Sequence, residues 1–208
     1  CPLENLSSKK PLILSITPER IFAGYTEADL EDFMQHLNDY TRVVKDKILA
    51  LEEEHKELEF VRMLDTDKIF CKPSYTIPRE ITLTAPLEGI TKMLHSKEDS
   101  VNGYEREVIV DVANLDNVEW WTRNVEKRGF CINGFINHYP DFIIKTKKGK
   151  VVLLETKGDH LDAAKKIRLG NIWANKVGND YRYFLVYDKR EVKDAYTKSR
   201  FIEIMKEL

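Results

Sequence analysis

The stretch Tyr139-Pro140-Asp141-Phe142-Ile143-Ile144, followed later by Val151-Val152-Leu153-Leu154-Glu155-Thr156-Lys157-Gly158, decides how the rest of the chain is read. Both are apolar runs of strand length, and Lys145-Thr146-Lys147-Lys148-Gly149-Lys150 between them is a polar break containing a glycine, so they predict a β-hairpin. A three-residue loop of Lys147, Lys148 and Gly149, with Gly149 as the left-handed residue, pairs Thr146 with Lys150. Counting outward, Ile143 meets Leu153 and Asp141 meets Glu155, which sets two carboxylates on one face with Cβ atoms roughly 5 Å apart. A two-residue loop would put Thr156 opposite Asp141 and turn Glu155 to the other face. It would also ask Lys148 for a positive φ, which lysine resists.

Strand side chains alternate, so Lys157 joins Glu155 on that face. Two carboxylates this close repel, so one holds a proton or a positive charge sits between them. A divalent cation answers that need. Mg2+ takes only one or two carboxylates from a protein and keeps waters or phosphate oxygens for the rest; Mn2+ is expected to substitute. Such an ion polarises a phosphoryl oxygen and activates a bound water, while a lysine places the nucleophile and offsets negative charge. Taken singly, Glu-x-Lys is most often an exposed ion pair and Pro-Asp a common turn dipeptide. The context separates this case: Val151-Val152-Leu153-Leu154 is apolar on both faces, as in a buried central strand whose charges emerge only at its end.

Pro140-Asp141 followed by Glu155-Thr156-Lys157 resembles the PD-(D/E)XK nuclease superfamily signature. More narrowly, three strings are similar to the C-terminal nuclease domain of type III restriction enzyme helicase subunits. They are Val118-Glu119-Trp120-Trp121-Thr122-Arg123-Asn124, Gly134-Phe135-Ile136-Asn137-His138-Tyr139-Pro140-Asp141-Phe142 and Glu155-Thr156-Lys157-Gly158-Asp159-His160-Leu161-Asp162, and the likeness covers residues 102–188. The resemblance implies an α/β, restriction-endonuclease-like core: a central mixed sheet flanked by helices, here preceded by a largely helical connector. It implies Mg2+-dependent hydrolysis of DNA phosphodiesters, with Asp141 and Glu155 on the metal and Lys157 as the catalytic lysine. An acid on the helix before the first core strand completes the family's metal shell. That role falls to Glu105 in Asn102-Gly103-Tyr104-Glu105, with Glu107 and Glu119 as competitors, and the Thr156 carbonyl is a further ligand. The implied partners are DNA, an ATP-driven helicase or translocase region upstream in the same polypeptide, and a modification methyltransferase subunit. The chain itself holds no Gly-x-x-x-x-Gly-Lys-Ser/Thr phosphate loop, so no ATPase activity is expected of it.

With 33 basic and 35 acidic residues among 208, the net charge is −2 and nothing global advertises nucleic-acid binding. A local basic groove around an acidic site can average to this value. The three cysteines are odd in number and far apart, which argues against a disulfide framework or zinc site and fits a reducing cytoplasm. No apolar run approaches the roughly 20 residues of a membrane span, and no signal-peptide pattern is visible. The start at Cys1 is expected of a fragment or a processed product.

Along the chain, residues 1–25 are punctuated by Pro2, Pro11 and Pro18 around a short candidate strand, Leu12-Ile13-Leu14. Thr26 and Asp29 resemble a helix cap, and Leu30, Leu37, Val44, Leu51 and Leu58 repeat every seven residues. One long helix over 27–63, or two with a break, is expected, its stripe packing on the core or on a partner. Residues 65–87, with Pro73, Pro78 and Pro86, read as a connector. A boundary near 90 then divides the chain into a helical connector (1–90) and a nuclease-like domain (91–208). A short helix is expected over 87–95, a second over 102–113 with Val108 and Val112 inward, and a third over 115–128, capped by Asn114 and closed by Gly129.

Trp120 and Trp121 are adjacent and cannot share a face; at least one is core, and the other is core or stacks on a base. A strand over 130–136 precedes the hairpin. His138 and His160 read as ordinary hydrogen-bonding loop residues. Helices over 160–169 and 171–176 follow, and Lys145, Lys165, Lys166 and Arg168 are candidates for flanking phosphates. Tyr181-Arg182-Tyr183-Phe184-Leu185-Val186-Tyr187 reads as a strand parallel to the Glu155 strand, and a last helix covers 197–208. Two rival readings remain: a nuclease-fold module that binds DNA without cutting it, and a partner-docking module that uses the long helix.

Overall fold

The computed structural model describes residues 26–72 and 75–208. The expected strand at Leu12-Ile13-Leu14 and the prolines at 2, 11, 18 and 73 lie outside the described residues. The chain falls into two compact units, one ending at Glu54 and the other spanning His55–Leu208.

In the first unit, helix α1 (Glu27–Gln35) opens with the expected capping box. The Thr26 side chain accepts from the Asp29 amide, and the Asp29 carboxylate accepts from the Thr26 amide at 2.7 Å. A break at His36 separates α1 from α2 (Leu37–Asp65), which continues into the second unit. The seven-residue stripe does not form a core: Leu37, Val44, Leu51 and Leu58 are all exposed. Within the second unit the same helix buries a different face, through Leu64 and through Phe60 against Phe135.

The second unit is built on a five-stranded mixed sheet in the order β3 (Val118–Arg123), β6 (Phe142–Thr146), β7 (Val151–Lys157), β8 (Tyr181–Tyr187) and β9 (Tyr196–Thr197). The β3–β6 and β6–β7 pairs are antiparallel; β7–β8 and β8–β9 are parallel. One face is covered by α3 (Gly103–Ala113) and α5 (Lys198–Glu207), which bury Val108, Ile109, Val112, Phe201 and Met205 against Phe142, Ile144, Val152 and Leu154. The opposite face carries Ile143, Leu153, Tyr183 and Leu185 and is covered by α4 (Ala164–Lys176), through Ile167, Leu169 and Trp173. This is a central mixed sheet flanked by helices, preceded by a helical region.

The hairpin has the expected register. Ile143 pairs with Leu153, the Thr146 amide donates to the Lys150 carbonyl at 2.9 Å, and Gly149 has φ +85. Elsewhere the local reading is corrected. Residues 118–123, expected in a helix, form β3, because pairing with β6 takes up their backbone groups along the sheet edge, with an irregularity between Val118 and Trp120. Trp121 is fully buried beside Phe142 on one face, while Trp120 is half-buried on the other. The helix expected over 87–95 is absent. Pro86–Leu87 (β1) pairs antiparallel with Glu98–Asp99 (β2), and between them the chain is stitched to β3, with the Leu94 amide donating to the Trp121 carbonyl at 2.8 Å. The strand expected over 130–136 shrinks to Ile132–Asn133 (β4), paired with Asn137–His138 (β5).

The helices expected on either side of Gly170 are one continuous helix, α4, and residues 160–163 lie outside it. Gly170 faces the sheet, where a Cβ would collide with the Tyr183 ring. The missing side chain lets α4 approach the sheet closely. Gly170→Ala is therefore expected to destabilise the fold by about 1–3 kcal/mol despite alanine's better helix propensity. A urea unfolding midpoint equal to or above wild type would refute the close-approach role.

Candidate functional site

The carboxyl end of β7 delivers Glu155 and Lys157 towards α4, and Asp141, immediately before β6, is near enough to act on the Glu155 carboxyl. Glu155 is 1% exposed. Its Oε1 accepts from Lys157 Nζ at 3.0 Å and from Lys166 Nζ, on α4, at 2.6 Å. Its Oε2 is buried without a hydrogen-bond partner. Burial first, and the neighbouring Asp141 second, push the Glu155 carboxyl up to about 7, against the pull of Lys166 and Lys157. Burial disfavours the Lys157 ammonium, but Glu155 outweighs it and the lysine stands above its ordinary value.

Asp141 is held by its neighbours. Its Oδ2 accepts from the Thr156 amide at 2.7 Å and the Thr156 hydroxyl at 2.9 Å, and its Oδ1 lies 3.3 Å from Arg123. The same guanidinium reaches Glu105 at 3.2 Å and lies over the Phe142 ring. Glu105 is 8% exposed, and its second oxygen accepts from the Asn102 amide at 2.8 Å, as the acid of a capping box that starts α3. Both Glu105 oxygens are thus committed, and it meets Asp141 through Arg123. Burial, then Asp141, raise the Glu105 carboxyl above its ordinary value, while Arg123 opposes them.

The structure therefore brings together Asp141, Glu155, Lys157, Thr156 and Lys166, with Glu105 one bridge away. Lys145 stands at the turn end of the hairpin, where it pairs with Val151 and donates to the Gly149 carbonyl at 2.7 Å. Arg168 is turned to Glu57 on α2 at 2.6 Å, and Lys165 is half-buried on α4. Of the two acids the sequence offers as alternatives to Glu105, Glu107 pairs with Lys198 on α5 and Glu119 is exposed on β3.

Two residues of the site escape the sequence reading. Arg123 falls within the helix expected over 115–128; the β-branched and aromatic run Val118-Glu119-Trp120-Trp121-Thr122 is the available strand signal. His138, which reads as a loop residue, is fully buried, and its Nε2 lies 2.9 Å from the Tyr183 hydroxyl, while Nδ1 has no partner. Burial, then Lys166 and Lys157, push its pKa down to about 3, so the ring is neutral near the two ammonium groups.

Among the described residues no three His, Cys, Asp or Glu side chains converge as a metal cluster. That donor set does not suit zinc, but it fits a hard cation that asks a protein for one or two carboxylates, and the bare Glu155 Oε2 is an available oxygen. Among the described residues no helix is long and apolar enough to cross a membrane. Comparison with family models, curated proteins and solved structures finds no match for the chain.

In metal-free buffer the folded chain holds the Glu155 proton up to about pH 7, against an ordinary value of 4.5. Between these values the folded state binds more protons than the unfolded one, so stability falls as pH rises through the window. Relative to Glu155→Gln, wild type is expected to lose about 3 kcal/mol between roughly pH 4.5 and 8 in urea titrations with a chelator. A difference that does not change with pH would mean that Glu155 is ionised throughout.

Proposed function

We propose that the chain is a Mg2+-dependent DNA endonuclease domain with a restriction-endonuclease-like core of the PD-(D/E)XK type, the cleavage module of a type III restriction enzyme helicase-nuclease subunit. The observation that carries this reading is the buried Glu155 at the end of a central strand, with Lys157 at 3.0 Å, Asp141 just ahead of the adjoining strand, and one carboxylate oxygen left bare. A polar atom buried without a partner is unfavourable, and a strand end that tolerates one is suited to a ligand that satisfies it.

Asp141 and Glu155 would hold the ion, with the Thr156 carbonyl beside them, and when bound it polarises the phosphoryl oxygen and acidifies a water. The chain's own groups do the rest. Thr156 fixes Asp141 through two hydrogen bonds, so the carboxylate keeps one orientation. Lys157, 21% exposed and held on Glu155 at 3.0 Å, would orient the attacking water and offset charge growing on the phosphoryl oxygens. Arg123 holds Asp141 and Glu105 at a set distance, which gives Glu105 a positioning role. DNA, an upstream motor region of the same polypeptide and a modification subunit are the partners this reading carries, in the cytoplasm. The exposed apolar row of Leu37, Val44, Ile48 and Leu51 on α2 is available for such a partner.

A second reading is favoured by one observation: each acid of the cluster already has a cationic partner, Arg123 for Glu105 and Asp141 and the two lysines for Glu155. In that case the module binds DNA without cutting it. Nicking of supercoiled plasmid separates the two. The enzyme is expected to nick with Mg2+ or Mn2+, to stop with chelator, and to lose on the order of a hundredfold or more in rate with Asp141→Ala or Lys157→Ala, both variants keeping wild-type circular dichroism. Equal nicking by all three proteins would trace the activity to contamination, and DNA binding without any product would leave the non-cutting module.

A further inference from the structure

Glu155 has two ammonium partners on one oxygen and none on the other. The two lysines differ in freedom. Lys157 rises from β7 itself, two residues along from the acid, and is 21% exposed. Lys166 reaches in from α4 and is 34% exposed, so it has more room to leave. Ile167, Leu169 and Gly170 seat α4 on the sheet, with Gly170 against Tyr183, and this holds the root of Lys166 beside the site whatever its ammonium does.

With Glu155 ionised the local charge is balanced: Arg123, Lys157 and Lys166 face Glu105, Asp141 and Glu155. A divalent cation arriving at Asp141 and Glu155 therefore meets two ammonium groups already on the same carboxylate. Like charges a few ångströms apart in a poorly solvated site repel strongly, as Coulomb's law requires at the low effective dielectric of a protein. That repulsion falls on the group that can move. An ammonium expelled from Glu155 but tethered to α4 needs a new anion, and a DNA phosphate supplies one.

We propose that Lys166 is an exchangeable internal counter-ion: it neutralises Glu155 through Oε1 in the metal-free chain, gives up that carboxylate when a divalent ion takes the bare Oε2, and then serves a DNA phosphate. The proposal rests on the metal-site reading above and adds a residue with opposite effects on the two ligands.

The test is calorimetric and does not depend on cleavage. Mn2+ is titrated into DNA-free wild type, Lys166→Met, Asp141→Asn and a net-charge control at the exposed Lys193, Lys193→Met. Lys166→Met is expected to bind Mn2+ on the order of tenfold more tightly than wild type, with Lys193→Met unchanged. The same variant, titrated with a duplex oligonucleotide in Ca2+, is expected to bind on the order of tenfold more weakly, its slope of log affinity against log salt smaller by about one. Mn2+ affinity unchanged or weakened by Lys166→Met overturns the exchange, as does an unchanged salt slope. If neither wild type nor Lys166→Met binds Mn2+, or if Asp141→Asn binds as wild type does, the metal-site reading falls and takes the exchange with it. Equal binding by wild type and Lys166→Met, abolished by Asp141→Asn, removes the exchange alone.

Discussion

A carboxylate buried at the end of a central strand is the constraint to which the second unit answers. Glu155 sits where both sheet faces are covered, so water cannot solvate it and the chain has to supply positive charge. Lys157 comes with the strand, but Lys166 requires that a helix lie close over the sheet at that point. The close approach in turn requires a residue without a side chain where α4 crosses Tyr183, which is Gly170. A single acid thus links the sequence of β7, the seating of α4 and the placement of the Tyr183 hydroxyl that meets His138.

The second acid is organised from the other side of the sheet. Asp141 follows β5 and its backbone carbonyl accepts from the Asn124 amide at 2.8 Å, which ties the end of β3 to the start of β6. Arg123 then lies at the sheet end with Phe142 beneath it and reaches Glu105 on α3. Helix start, edge strand and hairpin are joined there by one guanidinium, whose planar fork suits two carboxylates better than a lysine would. A net charge of −2 hides this arrangement, because three acids and three bases offset one another within one small region.

These features share an energetic character. Ion pairs at exposed positions, such as Lys97 with Glu88, contribute little, whereas those around Glu155 and Asp141 are shielded from solvent and strongly coupled. Breaking one partner there leaves a charge without solvent, so the cluster is unfavourable to assemble and unfavourable to disturb. A neutral His138 near the lysines obeys the same constraint, since a third cation would repel both.

The hairpin is legible in the chain because its determinants are local: a glycine free to take positive φ, an apolar run on each side, and side chains that alternate with period two. The same holds for β8, for the Thr26 cap, and for the inward face of α3. Residues 118–123 mislead because a cap residue before them, Asn114, and a glycine after them, Gly129, are compatible with a helix, and 87–95 because its short apolar pattern is too. Only pairing with β6, and the stitching of Leu94 to Trp121, makes extended backbone the lower free energy. Gly170 looks like an interruption for the same reason, since the cause of its presence is a ring on another element. Sequence alone determined which residues supply the carboxylates and the hairpin register that sets them at the same end of the sheet. Tertiary structure decided which cations they meet, because Arg123 and Lys166 come from elements whose position depends on packing across the sheet, and no short-range pattern encodes a distance between a helix and a strand.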